Sequence, residues 1–217
     1  MISVGNDIVD LHAIDQSRTS DPRFYPKILS ATEQQLYQRF AARLPMWLWV
    51  WLLWSAKEAV YKYLKRHEPT LVFSPAKIVI TEITGEFTPT TSFGEMVSQI
   101  GASQLSITIL STFQNRQFTT RSCISNNCIA TFLTDDFDRL HWGIEQIAHD
   151  DYKSQSAAVR AFATKNLSTY FTSRPITIKK STIGYPEVYF GDSPLPIPLS
   201  FAHHGNYVSY AFLLERY

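Results

Sequence analysis

The sequence carries almost no net charge, with 20 lysine and arginine residues against 19 aspartate and glutamate, a formal +1. That excludes bulk electrostatic capture of nucleic acid, although a local basic patch stays open. Cysteine is scarce: only Cys123 and Cys128 occur, flanking Ile124-Ser125-Asn126-Asn127. That stretch is a hairpin-turn pattern, so the two sulfurs could face each other across two strands. A pair without further nearby ligands does not make a zinc site, and reduced, buried or half-buried thiols are expected. Long apolar runs are absent. The longest, Leu44 to Trp54, has eleven residues, whereas a membrane span needs ~20, so it reads as a buried helix. There is no P-loop, no Gly-x-Gly-x-x-Gly and no Gly-x-Ser-x-Gly elbow. Residues 1–7 have neither a basic nor an apolar leader region, so a cytoplasmic location with no membrane partner is expected.

What is present is a globular composition: 217 residues, 45% hydrophobic and 18% charged. This length suits one large domain or two small ones. It is enough to bury roughly 70% of the unfolded surface without a disulfide or structural metal. Aromatics make up 14%, and four of the five tryptophans fall between Trp47 and Trp54.

Patterning predicts a strand over 2–11 and a helix over 31–43 introduced by the capping-box pattern Ser30-Ala-Thr-Glu33. A second helix is expected over 47–66, with Leu53, Ala56, Val60, Tyr63 and Leu64 on one apolar face. A strand over 76–83 precedes a Thr/Ser/Gly-rich loop over 84–103 that could hold a short helix. Strands follow over 104–112, 117–124 and 128–134, a helix over 153–171, and strands over 176–182, 186–190 and 206–215. Pro194, Pro196 and Pro198 make a stiff extended lead-in.

Three segments could carry chemistry. Asp7 follows Gly5, which permits close backbone approach, yet an aspartate there can equally be a turn residue. In Trp54-Ser-Ala-Lys57-Glu58-Ala-Val-Tyr-Lys62, Glu58 and Lys62 share a helical face and Lys57 lies about 100° around. This could be a surface pair worth only ~0.3–0.5 kcal/mol. It could also be a carboxylate for a divalent cation with lysines for phosphate. The third segment, Ser200-Phe-Ala-His203-His204-Gly205-Asn206, could contact phosphate, ligate metal, or simply form a solvated turn.

Together these pieces resemble the 4′-phosphopantetheinyl transferase superfamily. Val4-Gly-Asn-Asp7-Ile-Val-Asp10-Leu is similar to the family's Gly-x-Asp-Ile-Val-Glu opening. Lys27-Ile-Leu-Ser-Ala-Thr-Glu33 resembles the helix start that follows it. The segment from Trp54 to Lys62 matches Trp-Ser-x-Lys-Glu-(Ala/Ser)-x-x-Lys, the most specific motif here. Gly184-Tyr-Pro186 resembles Gly-Lys-Pro, and the His203 segment resembles the Ser-His motif. The resemblance implies an enzyme of holo-acyl-carrier-protein synthase type with an α+β fold. It would transfer the 4′-phosphopantetheine arm of coenzyme A to a serine of an apo acyl or peptidyl carrier protein.

By the same resemblance Asp7 and Glu58 bind Mg²⁺, with Mn²⁺ as a substitute, and Glu58 and Lys62 are catalytic. Lys57, Lys62 and His203 bind coenzyme A. Glu58 and His203 are 145 residues apart, too far for one small unit. The expected arrangement is a pseudo-twofold pair of α+β halves in swapped order, a pseudodimer acting as a monomer. Residues 1–134 form the metal-site half and 135–217 the half with the histidine motif.

The sequence departs from the family at several places. Val9 replaces an acidic residue of the long type, Ala202 the serine before the histidine, Tyr185 the lysine of Gly-Lys-Pro, and Gln155 an arginine. These departures motivate the alternative of a non-catalytic module of the same fold that binds a carrier protein or coenzyme A.

Overall fold

The structure, a computed structural model, describes residues 2–87, 96–171, 175–182 and 184–214. It is mixed α+β, as expected. Strand β1 (Val4–Asp10) leads through a four-residue helix α1 (Gln16–Thr19) and α2 (Ala31–Tyr37) to the long helix α3 (Met46–Lys65). Strands β2 (Val79–Gly85), β3 (Met96–Ile100), β4 (Ile107–Phe113), β5 (Arg116–Ile124), β6 (Cys128–Thr134) and β7 (Leu140–Gln146) come next. Helix α4 (Tyr152–Ser168) then precedes β8 (Ile176–Lys180), β9 (Pro186–Phe190), β10 (Ser193–Leu195), β11 (Leu199–His204) and β12 (Tyr207–Leu213).

The described residues form three antiparallel sheets, ordered β1-β6-β5-β4-β2, β11-β12-β7-β3 and β10-β9-β8. Helix α3 packs on β1, β6 and β5, while α4 packs on β12, β8, β11 and β7. In each of the two larger sheets, the strand that precedes the long helix pairs with a strand that follows it: β1 with β6, and β7 with β12.

Strand β1 is wholly buried although it contains Asn6, Asp7 and Asp10. Its alternating side chains face opposite ways. Val9 joins the core under α3, whereas Val4 and Ile8 join the core shared with the second sheet. β1 is an edge strand, and edges leave backbone donors unpaired. Side chains of β11 meet that need: Ser200 Oγ accepts from the Asn6 N–H (3.2 Å) and His204 Nδ1 from the Asp10 N–H (3.0 Å).

Helix α3 follows Pro45 and buries Trp49, Val50, Leu52, Leu53, Ala56, Ala59, Val60 and Leu64. The tryptophan-rich lead-in therefore anchors this helix in the core, apolar on nearly all sides at its start. Helix α2 ends at Tyr37, shorter than the expected 31–43, and hydrogen-bonded turns carry the chain on to Leu44. Four strands escaped the sequence pattern: 96–100, 140–146, 199–204 and the short 193–195. The first lies in the 84–103 stretch expected as a loop that could hold a short helix; residues 88–95 of that stretch lie outside the described residues. The third lies in the segment for which a solvated turn was one of the open alternatives; β12 pairs with it on one side, and Ser200 and His204 bind the β1 backbone on the other. Pro194 sits in β10, at a sheet edge where a missing N–H is tolerated.

The hairpin expected at Ile124–Asn127 is present, and both cysteines are free and buried. Burial pushes both thiols up, Cys128 to about 12.

Candidate functional site

Gly5 and Asp7 are two apart on β1 and so share the strand face that meets α3. A Cβ at Gly5 would collide with the Ala59 carbonyl oxygen and lie 2.8 Å from the Tyr63 nitrogen. Only glycine lets the helix backbone come this close. The close approach places Asp7 against Lys62 of α3, with Nζ to Oδ1 at 3.2 Å. The same ammonium lies 3.2 Å from Glu58 Oε1, one turn back on the helix. The structure thus brings together Asp7, Glu58 and Lys62.

Asp7 is 3% exposed, and its Oδ2 has no hydrogen-bond partner among the described residues. Burial, then the charge of Glu58, raises its carboxyl from 3.8 to about 7, although Lys62 pulls the other way. Burial tends to lower the Lys62 ammonium, but the charges of Asp7 and Glu58 outweigh this and hold it above its ordinary value. Two crowded carboxylates, one with an orphaned buried oxygen, suit a hard divalent cation that takes its other ligands from water and phosphate. Among the described residues no group of three or more His, Cys, Asp or Glu side chains could hold a metal ion. Asp7 and Glu58 therefore fit Mg²⁺ only as two of its ligands.

Next to this pair lies a cavity of about 330 Å³ between α3, α4 and β11. Its wall includes Lys62, Lys65, Arg66, Arg160 and Lys180, together with His203, and among the described residues no aspartate or glutamate. Lys65 Nζ donates to the carbonyls of Pro69 (2.6 Å) and Leu71 (2.8 Å), and Arg160 Nη1 to that of Ile178 (2.8 Å). Carbonyls supply partial charge only, so Lys65 and Arg160 keep their formal charge, while Lys62 shares its own with Asp7 and Glu58.

Strand alternation separates the two histidines. His203 faces the cavity, with the Tyr152 ring edge-on at 5.6 Å. Burial lowers its imidazole, helped by the charge of Lys62 and opposed by that of Glu58. His204 instead faces β1 and caps its edge. The other polar residues of that turn are structural too: Asp10 accepts from the Asn206 N–H at 2.9 Å, and Gln155 Nε2 donates to the Gly205 carbonyl at 2.9 Å.

Lys57 is not brought to the site. Its side chain is 0% exposed, and Nζ binds Glu33 Oε2 at 2.6 Å and the Ile28 carbonyl at 2.8 Å. Neighbouring Glu58 in sequence misleads here, because about 100° of helix turns Lys57 into the core. The cations missed in the sequence are Lys65, Arg66 and Lys180. The first two lie three and four residues after Lys62, a helical spacing that could have revealed them. Lys180 is placed by its register opposite Pro186, which local sequence does not disclose.

In comparison with known proteins, residues 3–96 fit the family model described as the 4′-phosphopantetheinyl transferase superfamily. No curated protein matches the chain, and no solved structure does. The matched stretch contains Asp7, Glu58 and Lys62. Enzymes of this superfamily transfer phosphopantetheine to carrier proteins, using coenzyme A and a divalent metal.

Proposed function

We propose that this chain, whose residues 3–96 carry the phosphopantetheinyl transferase match, transfers the 4′-phosphopantetheine arm of coenzyme A to a serine of an apo acyl or peptidyl carrier protein. The observation that carries this reading is the junction of the Asp7–Lys62–Glu58 cluster with a cavity walled by cations. Binding a diphosphate and stabilising charge as it moves to a leaving phosphate is most of what phosphoryl transfer requires.

Each residue has a role in this reading. Asp7 and Glu58 hold Mg²⁺, or Mn²⁺ in its place. When bound, the ion neutralises diphosphate charge and polarises the reacting phosphorus. Lys62 belongs to both the carboxylate cluster and the cavity, and it offsets charge on the leaving 3′,5′-adenosine diphosphate. The serine oxygen bonds to the phosphorus that bears the pantetheine arm, and the diphosphate P–O bond breaks. Glu58, about a quarter exposed, takes the serine proton. His203, held neutral by burial, contacts phosphate from the far wall.

The repeated pairing of β1 with β6 and β7 with β12, each with a helix on the sheet, supports two similar halves in one chain, split near residue 134. Strand β3 crosses that division and adds to the second sheet. The site lies between the halves, so one chain supplies both walls and a monomer suffices. No helix among the described residues is long and apolar enough to cross a membrane.

The test is incubation with coenzyme A, Mg²⁺ and a set of apo carrier proteins, read by intact mass. A carrier that gains the mass of the phosphopantetheine arm supports the reading. No gain on any carrier, with coenzyme A still bound, leaves the non-catalytic module.

A further inference from the structure

Arg66 closes α3 and reaches across the cavity. Its Nη2 donates to the Leu199 carbonyl at 2.6 Å, and its guanidinium carbon lies 4.4 Å from the centroid of the Tyr185 ring. Leu199 opens β11 and Tyr185 directly precedes β9, so one side chain of α3 grips two elements of the opposite wall. The aromatic face fixes the guanidinium plane, and one bond to Leu199 leaves several of its five N–H donors for other use.

Arg66 forms no ion pair with a carboxylate among the described residues. Glu187 acts on it only through space, and burial pulls the guanidinium below its ordinary value. The Leu199 carbonyl and the helix C-terminus offer partial negative charge, not a counter-ion. A half-buried cation so placed is a receptor for an anion. Lys62 and Arg66 are four residues apart on α3, ~6 Å along its axis. That spacing separates two phosphates of one ligand, the first beside Asp7 and Glu58, the second further in.

We propose that Arg66, oriented by Tyr185 and Leu199, grips a second phosphate of the coenzyme A donor and sets the chain's selectivity for it. The inference rests on the reading of the cavity as the donor site. It gives Tyr185 a role as the platform that holds a cation supplied by the other wall.

Calorimetric titration with coenzyme A and with dephospho-coenzyme A, without carrier and at several salt concentrations, tests it. Arg66→Ala should bind coenzyme A roughly ten- to a hundredfold more weakly, the usual loss of a charge-assisted bond. Its salt dependence should also be shallower than the parent's, since one screened contact is gone. Arg66→Lys should recover only part, because an ammonium has neither fork nor stacking plane. Tyr185→Phe should match the parent, and Tyr185→Ala should be weakened. A loss seen only with coenzyme A assigns the grip to its 3′-phosphate and supports the selectivity; an equal loss with both ligands overturns it. Parental affinity in Arg66→Ala overturns the proposal. So does weaker binding with unchanged salt dependence, which marks Arg66 as a strut. Failure of the unaltered chain to bind either ligand overturns the donor-site reading itself.

Discussion

The ammonium of Lys62 lies 3.2 Å from Oδ1 of Asp7, while Oδ2 of that carboxylate has no partner among the described residues. Strand β1 and helix α3 are thus joined by an ion pair that satisfies half of a buried acid. An unmet buried oxygen costs free energy, and proteins keep such groups where they serve a ligand. The helix side of the cluster, the strand side and the cationic cavity make separable demands, and single substitutions can divide them.

Glu58→Gln removes one carboxylate but keeps the shape of the side chain. Glu58 is part-exposed and its only ion pair among the described residues is with Lys62 on the same helix, so the melting temperature should stay close to the parent's. Transfer to a carrier should fall by about a hundredfold or more, the scale of losing a preorganised charge contact. Intact-mass time courses check this. A parental rate in the variant removes Glu58 from both metal binding and proton transfer.

Asp7 gives a pH signature. Its folded-state value is raised from 3.8 to about 7. Between those pH values the folded state holds a proton that the unfolded state has released. The contribution of Asp7 to stability therefore falls as pH rises through this window. Asp7→Asn should melt higher than the parent near pH 8, and the gain should vanish at about pH 4 or below. Added Mg²⁺ should raise the parent's melting temperature at the higher pH and leave Asp7→Asn unmoved. Below about pH 7 the parent's response should fade as protons compete for the carboxylate. An equal Mg²⁺ response in both proteins would place the ion elsewhere.

Lys57 serves the fold, not the ligand. Glu33 accepts from the Ser30 N–H (2.7 Å), the Ile80 N–H (2.6 Å) and Lys57 Nζ (2.6 Å). One carboxylate thereby ties α2, β2 and α3 together. Lys57→Met leaves Glu33 charged and buried without a counter-charge, and should cost ~3–5 kcal/mol in urea unfolding. Adding Glu33→Gln should cost less than it does alone, since the stranded charge is already gone. Coenzyme A affinity of the folded variants should be the parent's. A selective loss of that affinity would return Lys57 to the site.

These substitutions also show what could be read from sequence. The capping box of Ser30 and Glu33 was legible because its partners are three residues apart. Glu33's bonds to Lys57 and Ile80 were not, because 24 and 47 residues separate them. Helix α3 was legible from its apolar spacing, and with it the Glu58–Lys62 pair. That Asp7 meets the pair depends on how closely β1 approaches α3, which periodicity cannot show. The motif singles out His203, but the turn-like composition hides the strand that sends it to the cavity and His204 to β1. The departures at Tyr185 and Gln155 are among those that suggest a non-catalytic module. In the fold Gln155 braces the Gly205 turn, and the cavity draws cations from α3 and β8 instead.

Gly5→Ala probes the contact on which the cluster depends. The added methyl would meet the Ala59 carbonyl oxygen and sit 2.8 Å from the Tyr63 nitrogen. Both are backbone atoms, so no side-chain rotation relieves the overlap, and α3 must rise from β1. The strained turn, from Ala59 to Tyr63, directly follows Glu58 and contains Lys62. Overpacking of this kind costs ~1–3 kcal/mol, which urea unfolding should detect. The larger effect should be on chemistry, because separating strand from helix lengthens the Lys62–Asp7 contact and spreads the two carboxylates. Transfer per folded molecule should drop, and the Mg²⁺-dependent rise in melting temperature should shrink with it. If Gly5→Ala loses stability but keeps the parental rate and Mg²⁺ response, the strand and helix can move apart without disturbing the reaction. The cluster would then not depend on the close approach that glycine allows.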